Sequence, residues 1–287
     1  EAIRSATESL LVDPARAEMA RAGRRHANYF RPVVIRGQRE FRSGGTSPRS
    51  SVTSFGLASS LAVLMEIRGV GLGRKGFERR VETAMLLAHS YLKSSSASAD
   101  AIFAARTAAR GDLADVVIEA KRSEGPCVVE LLDLQSEKVR TFNEVCSDSN
   151  DQTPERTRPR PAGYVLLPGQ DGAAERLDIL GLELVLLSED MPGVSCSVYE
   201  ISEDRPSPDE FEGFHERLLD AVVRDSVLDL PAGSWYVSAD QPRYPLTFEL
   251  LEPEATNGFA RFLVLDFPKG GPFPVVRVHE PLNFPQP

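Results

Sequence analysis

The sequence is short of cysteine, histidine, basic charge and long apolar runs, and each shortage excludes something. Its three cysteines, Cys127, Cys146 and Cys196, show no C-x-x-C spacing. That pattern supports neither a zinc knuckle nor a closed disulfide framework. Three buried thiols are the expected state, and a single bridge is the alternative for an exported protein. The four histidines, His26, His89, His215 and His279, stand far apart, and none has a glutamate three positions later. Against 42 acidic residues there are 33 basic ones, a net charge of -9, so no basic face is offered to nucleic acid. No apolar run approaches the roughly 18 to 20 residues of a membrane-spanning helix. A signal-peptide pattern is missing as well, and an opening on Glu1 is expected of a cut or processed chain. G-x-S-x-G is absent, which removes support for a serine-hydrolase elbow. The glycines at 69, 71 and 73 are not followed by the Lys-Ser/Thr of a phosphate loop.

What is present begins with length: 287 residues are enough for two domains with separate cores. The run Leu61, Ala62, Val63, Leu64, Met65 reads as a buried strand. Glu66 follows it, just before Gly69, Gly71 and Gly73 loosen the backbone. In α/β sheets, reactive residues gather where strands give way to loops. A carboxylate held there among apolar neighbours has its charged form disfavoured and can accept a proton near neutral pH. The plainer expectation for Glu66 is an ion pair with Arg68 or Arg74.

Around this stretch, Asp13 and Pro14 are expected to open a helix running to Tyr29. A short strand at 32–35 and a loop at 43–48 follow. Phe77, Val81, Ala84, Met85, Ala88 and Leu92 recur at helical spacing, as in an amphipathic helix lying on a sheet. A second helix at 99–110 is closed by Gly111, and Asp112 with Asp115 marks a helix exit rather than an acid–base pair. From about residue 115 the texture turns to β, with strands expected at 115–121, 127–134, 139–142, 162–168, 183–187, 195–201, 235–237, 259–267 and 274–278. Helices are expected at 172–180 and 241–252. The polar, proline-bearing run 147–161, SDSNDQTPERTRPRP, reads as a linker or exposed loop.

The block from Gly44 to Val81, GGTSPRSSVTSFGLASSLAVLMEIRGVGLGRKGFERRV, resembles the later half of the catalytic domain of bacterial zinc metallocarboxypeptidases, the carboxypeptidase A-like or funnelin family. That family has a GG-x-x-P loop, a short helix ending in GL, a strand ending ETRG-x-G-x-GR and a helix opening on RRV. Two departures stand out: Val52 and Thr53 where the family often has RN, and Glu66, Ile67, Arg68, Gly69 where it has ETRG. The residues around Pro231–Ser234, Gln241, Pro242 and Leu250–Pro253 are similar to the region after the catalytic domain in many of these peptidases.

The resemblance implies an α/β fold: a partial carboxypeptidase-like mixed sheet with flanking helices at 1–114, followed by a β-rich second domain at 115–287. It implies a zinc cofactor whose ligands lie upstream of residue 1, a peptide substrate, and Glu66 as the general base that takes a proton from a metal-activated water. Tyr29 is the tyrosine placed to touch substrate. His26 is the histidine placed as the family's later ligand would be, yet a solvated role is expected for it, a structural role for His89 and surface roles for His215 and His279. The chain alone is expected to be inactive, to bind zinc weakly, and to aggregate through its exposed sheet edge. Family analogy favours a secreted or periplasmic location. Two rival functions are a non-catalytic peptide- or glycan-binding relative and an N-acyl amino acid deacylase on the same fold.

Overall fold

Pro14 near the start of a helix has the φ and the missing N–H that position requires, and α2 (Asp13–Arg21) does begin there. Asp13 does not cap it, however. The backbone ahead is already helical, running from α1 (Ala2–Thr7) through a π-helical turn (Glu8–Val12) straight into α2. The helix also stops eight residues short of Tyr29. Gly23 takes a left-handed conformation (φ 65°), and the N–H groups of Gly23 and Arg24 donate back to Ala20 and Met19, a glycine-dependent helix stop. These features come from a computed structural model describing residues 2–35, 37–45, 47–111, 114–133 and 135–284. Asp112 and Leu134, which figure in the expectations above, lie outside the described residues.

The chain divides into two compact units. The first comprises residues 1–46, 61–107 and 120–155, and the second 47–60, 108–119 and 156–287. In the first unit, β1 (Phe30–Ile35) and β2 (Gln38–Ser43) pair as an antiparallel hairpin. They join β3 (Val116–Asp133) and β4 (Lys138–Arg158) in a sheet of order β1-β2-β4-β3. Parallel pairing sets Phe41 beside Cys146. The supposed linker from residue 147 is therefore strand through Arg158. Its polar side chains need no core, because ladder hydrogen bonds to neighbouring strands hold an exposed strand together. Cys127 and Cys146 form a disulfide with Cα atoms 5.6 Å apart, and Cys196 stays a buried thiol. The expectation of three free thiols is corrected accordingly.

Two further expectations fail in the first unit. Residues 61–67 form no strand, and Leu64 and Met65 are exposed. A strand exists only through its partners, and no described strand lies alongside. The amphipathic helix is present as α4 (Phe77–Ala97), but it is turned outward. Its buried residues are Thr83 and Ser90, while Phe77, Val81, Met85 and Leu92 are exposed. At about 100° per residue those four cover one side of the helix and the two buried residues face the other. The polar side packs on α2. The next helix, α5 (Ala99–Arg110), matches its expected span and leaves Phe103 exposed.

The second unit is built on an antiparallel sheet of order β6-β9-β5-β10-β7-β8. Its strands are β5 (Gly163–Leu166), β6 (Leu184–Leu186), β7 (Met191–Phe211), β8 (Phe214–Leu230), β9 (Trp235–Ser238) and β10 (Val275–Val278). Strand alternation divides β5 between two faces. Tyr164 and Leu166 join a core with Leu177, Val237, Leu251 and Val275, while Val165 joins Cys196, Leu230, Tyr236 and Val276 on the other side. The helices α6 (Asp171–Ile179) and α7 (Pro245–Leu251) each bury an apolar face. The short helix α3 (Ser51–Leu57) belongs to this unit and packs Leu57 against its core. Residues 259–267, expected as β, form successive turns in which Val264 N–H returns to Phe259 C=O and Leu263 has φ 57°. The molecule is thus a β-rich mixture of helices and two sheets.

Candidate functional site

Glu66 sits on the non-strand segment at 61–67, exposed to solvent. The apolar surroundings expected to disfavour its charge are not formed here, because the neighbouring Leu64 and Met65 face outward too. Among the described residues no ion pair or hydrogen bond reaches its carboxylate, so the pairing with Arg68 or Arg74 does not form. The glycine stretch beyond it is tightly folded. Residues Val70–Gly76 make a 3₁₀ turn kinked at Gly73, and Leu72 N–H donates to Gly69 C=O. Gly69 has φ 130°, and a Cβ there would lie 2.9 Å from Arg80 Cδ; one at Gly76 would lie 2.9 Å from Gly69 O. Only glycine allows both approaches. Arg79 Nη2 donates to Arg68 C=O at 3.2 Å, which ties the first turn of α4 back to the segment carrying Glu66.

Tyr29, the expected substrate contact, is 52% exposed just before β1. No hydrogen bond joins it to Glu66 among the described residues. His26 and His89 are exposed. His215 Nδ1 lies 2.9 Å from Ser207 C=O. Among the described residues no three histidine, cysteine or carboxylate side chains cluster as a metal site would require. The zinc implied by the resemblance therefore finds no fitting ligand set in these residues.

His279 is exposed, as expected, and is hydrogen-bonded as well. Its Nε2 lies 2.6 Å from Ser197 Oγ and its Nδ1 3.0 Å from Ser195 Oγ, while Ser197 donates to Asp225 Oδ1 at 3.0 Å. The residue types are those of a hydrolytic triad, but the wiring is not. A triad carboxylate holds the imidazole nitrogen remote from the nucleophile, whereas here Asp225 approaches Nε2, the same nitrogen that meets Ser197. The cluster fastens β10 to β7.

The densest array of charge is one the sequence reading passed over. Arg156 and Arg158 alternate at the end of β4, inside the run expected to be a loop, and Arg160 follows two residues beyond it. Arg158 is buried and grips Glu254 through both terminal nitrogens (2.6 and 2.7 Å) and Glu252 at 2.6 Å. Tyr164 donates its hydroxyl to Glu252 at 2.7 Å, and Arg277 Nε lies 3.2 Å from the same carboxylate. Arg156 reaches Glu254, Glu119 and Asp220 at 2.7 to 2.9 Å. Burial works against the Arg158 cation, but the Glu254 hydrogen bonds and the charges of both glutamates outweigh it and hold its pKa above the ordinary value. Burial, reinforced by Glu252, pushes the Tyr164 and Tyr199 hydroxyls well upward. With its arginines and glutamates paired to one another in the interior, this array serves as a structural clamp. The only sequence signal was the two-residue period of the arginines, which sets them on one face of a strand.

No family model matches the chain, and no solved structure matches it. Curated relatives do. Carboxypeptidase 2 of Trichophyton tonsurans is 25% identical over 294 aligned residues, covering 97% of this chain and 52% of its own length. Carboxypeptidase 2 of Trichophyton equinum and that of Trichophyton rubrum are each 24% identical, with the same coverage. The chain therefore spans about half the length of the curated relatives it matches. Along nearly its whole extent it is distantly similar to proteins named as carboxypeptidases.

Proposed function

We propose that this chain is the later part of a carboxypeptidase, with Glu66 as the general base of peptide hydrolysis and residues 115–287 as a following β-rich region. The observation that carries this reading is the likeness to carboxypeptidase 2 across 97% of the chain but only 52% of those relatives. The outward apolar side of α4 and the unpaired run at 61–65 agree with it. Both are surfaces that another part of a catalytic domain would cover, and covering them would also put Glu66 in apolar surroundings. There the carboxylate would accept the proton of the attacking water and return it to the departing amine. Tyr29 would contact the substrate. The zinc of the resemblance would take its ligands from residues outside this chain. The Cys127–Cys146 bridge agrees with an oxidising, exported setting.

The test is Glu66→Gln in the full-length parent, scored by release of C-terminal amino acids from a peptide. Loss of a general base lowers turnover by roughly 10²- to 10⁴-fold, with the zinc content of the parent unchanged. A Gln variant turning over at the parental rate would remove Glu66 from the mechanism.

A further inference from the structure

The tip of the β7–β8 hairpin carries an arrangement that the carboxypeptidase reading does not use. Glu212 and Gly213 make a two-residue turn with positive φ (50° and 93°), setting Phe211 directly opposite Phe214. Phe262, from the turn segment after α7, completes a triangle. The ring centroids are 5.9 to 6.3 Å apart and the planes 68° to 86° from one another, each pair edge to face. All three rings are half-buried, so the triangle keeps an open side.

That side is occupied by a cation. The guanidinium carbon of Arg49 lies 4.2 Å from the centroid of Phe211 and 5.8 Å from that of Phe262. The Nε of Arg49 donates to Ser47 Oγ at 3.3 Å. Among the described residues no carboxylate pairs with the guanidinium, so the aromatic faces are its main attraction. The negative quadrupole of the ring faces attracts a cation, more strongly as water is excluded. Three exposed acids, Asp209, Glu210 and Glu212, flank Phe211 in sequence. Arg49 itself is exposed on a loop, so little besides this contact opposes its departure.

We propose that Phe211, Phe214 and Phe262 form a cation-recognition site that Arg49 fills in cis, and that the site accepts the guanidinium of an arginine in a peptide when Arg49 withdraws. The inference rests on the carboxypeptidase reading only for the cation arriving on a peptide. The rings and their contact with the Arg49 cation stand without it.

The probe is Nα-acetylarginine amide, titrated into the chain while aromatic ¹H–¹³C NMR follows the phenylalanine rings. Arg49→Ala empties the site and is expected to bind the probe saturably, roughly three- to tenfold tighter than the native chain, with the Phe211 and Phe262 signals shifting. Adding Phe211→Leu, which keeps apolar bulk and removes the π face, is expected to reverse the gain. The uncharged citrulline analogue is expected not to bind. If Arg49→Ala binds no tighter than the native chain, or if citrulline binds as well as arginine, the site is a latch for Arg49 alone and the proposal is wrong. Because binding is measured rather than turnover, that failure would leave the Glu66 test untouched.

Discussion

The two units stabilise themselves by opposite means. The second buries apolar side chains on both faces of its sheet and holds its densest ion-pair array inside. Glu252, Glu254, Arg158 and Arg277 are all under 10% exposed yet mutually paired. The first turns an apolar helix face to water and keeps its long-range ion pairs at the surface, as in Arg25–Glu130, where both side chains are more than half exposed. Exposed pairs contribute about 0–1 kcal/mol, while breaking a buried pair costs several times that, since a charge is left unmatched. By this contrast one unit covers its core apolar side chains and the other leaves a helix face exposed.

Four variants press on the contrast. Trp235 is the single tryptophan of the chain and lies on β9, its indole N–H bonded to Asp171 at 2.9 Å, so its fluorescence reports the second unit alone. Arg158→Ala is expected to lower stability by about 3–5 kcal/mol in a urea titration read at Trp235. Arg224→Ala, from the exposed pair with Glu200, should shift the same curve by less than about 1 kcal/mol. Equal effects would mean that the buried array is not what clamps the second unit. Next in size, replacing Cys127 and Cys146 together by serine releases a loop of 19 residues' separation and is expected to cost about 3 kcal/mol. That loss should appear in far-ultraviolet circular dichroism while the Trp235 transition stays in place. The smallest effect belongs to Met85→Lys on the outward side of α4. It should change folding stability by less than about 0.5 kcal/mol and reduce self-association on size-exclusion chromatography. A large destabilisation would mean that side is already covered.

The legible parts of the sequence were those whose local pattern and environment agree. The apolar strands around Tyr164 and Val276, α5 up to Gly111 and a helix within 241–252, though not its start at Pro245, follow from periodicity and punctuation alone. Reading failed where partners decide the outcome. Residues 61–65 have every compositional mark of a strand but no neighbour to pair with. Residues 147–158 have none of the marks, yet strand neighbours hold them extended. Strand β8 was not expected at all, because charges at Glu216, Arg217, Asp220, Arg224 and Asp225 interrupt its apolar alternation. At the candidate site, the position of Glu66 before a glycine turn could be read from the chain, whereas its exposure could not. The glutamates that hold Arg158 lie more than ninety residues away, beyond any local pattern.

The backbone changes units at 46/47, 60/61, 107/108, 119/120 and 155/156, five crossings in all. Neither unit therefore corresponds to one uninterrupted stretch of gene. A single proteolytic nick cannot release either as an intact piece, and no simple truncation will deliver one by itself. Dissecting their separate roles will require splicing segments with new linkers, or point changes within the whole polypeptide.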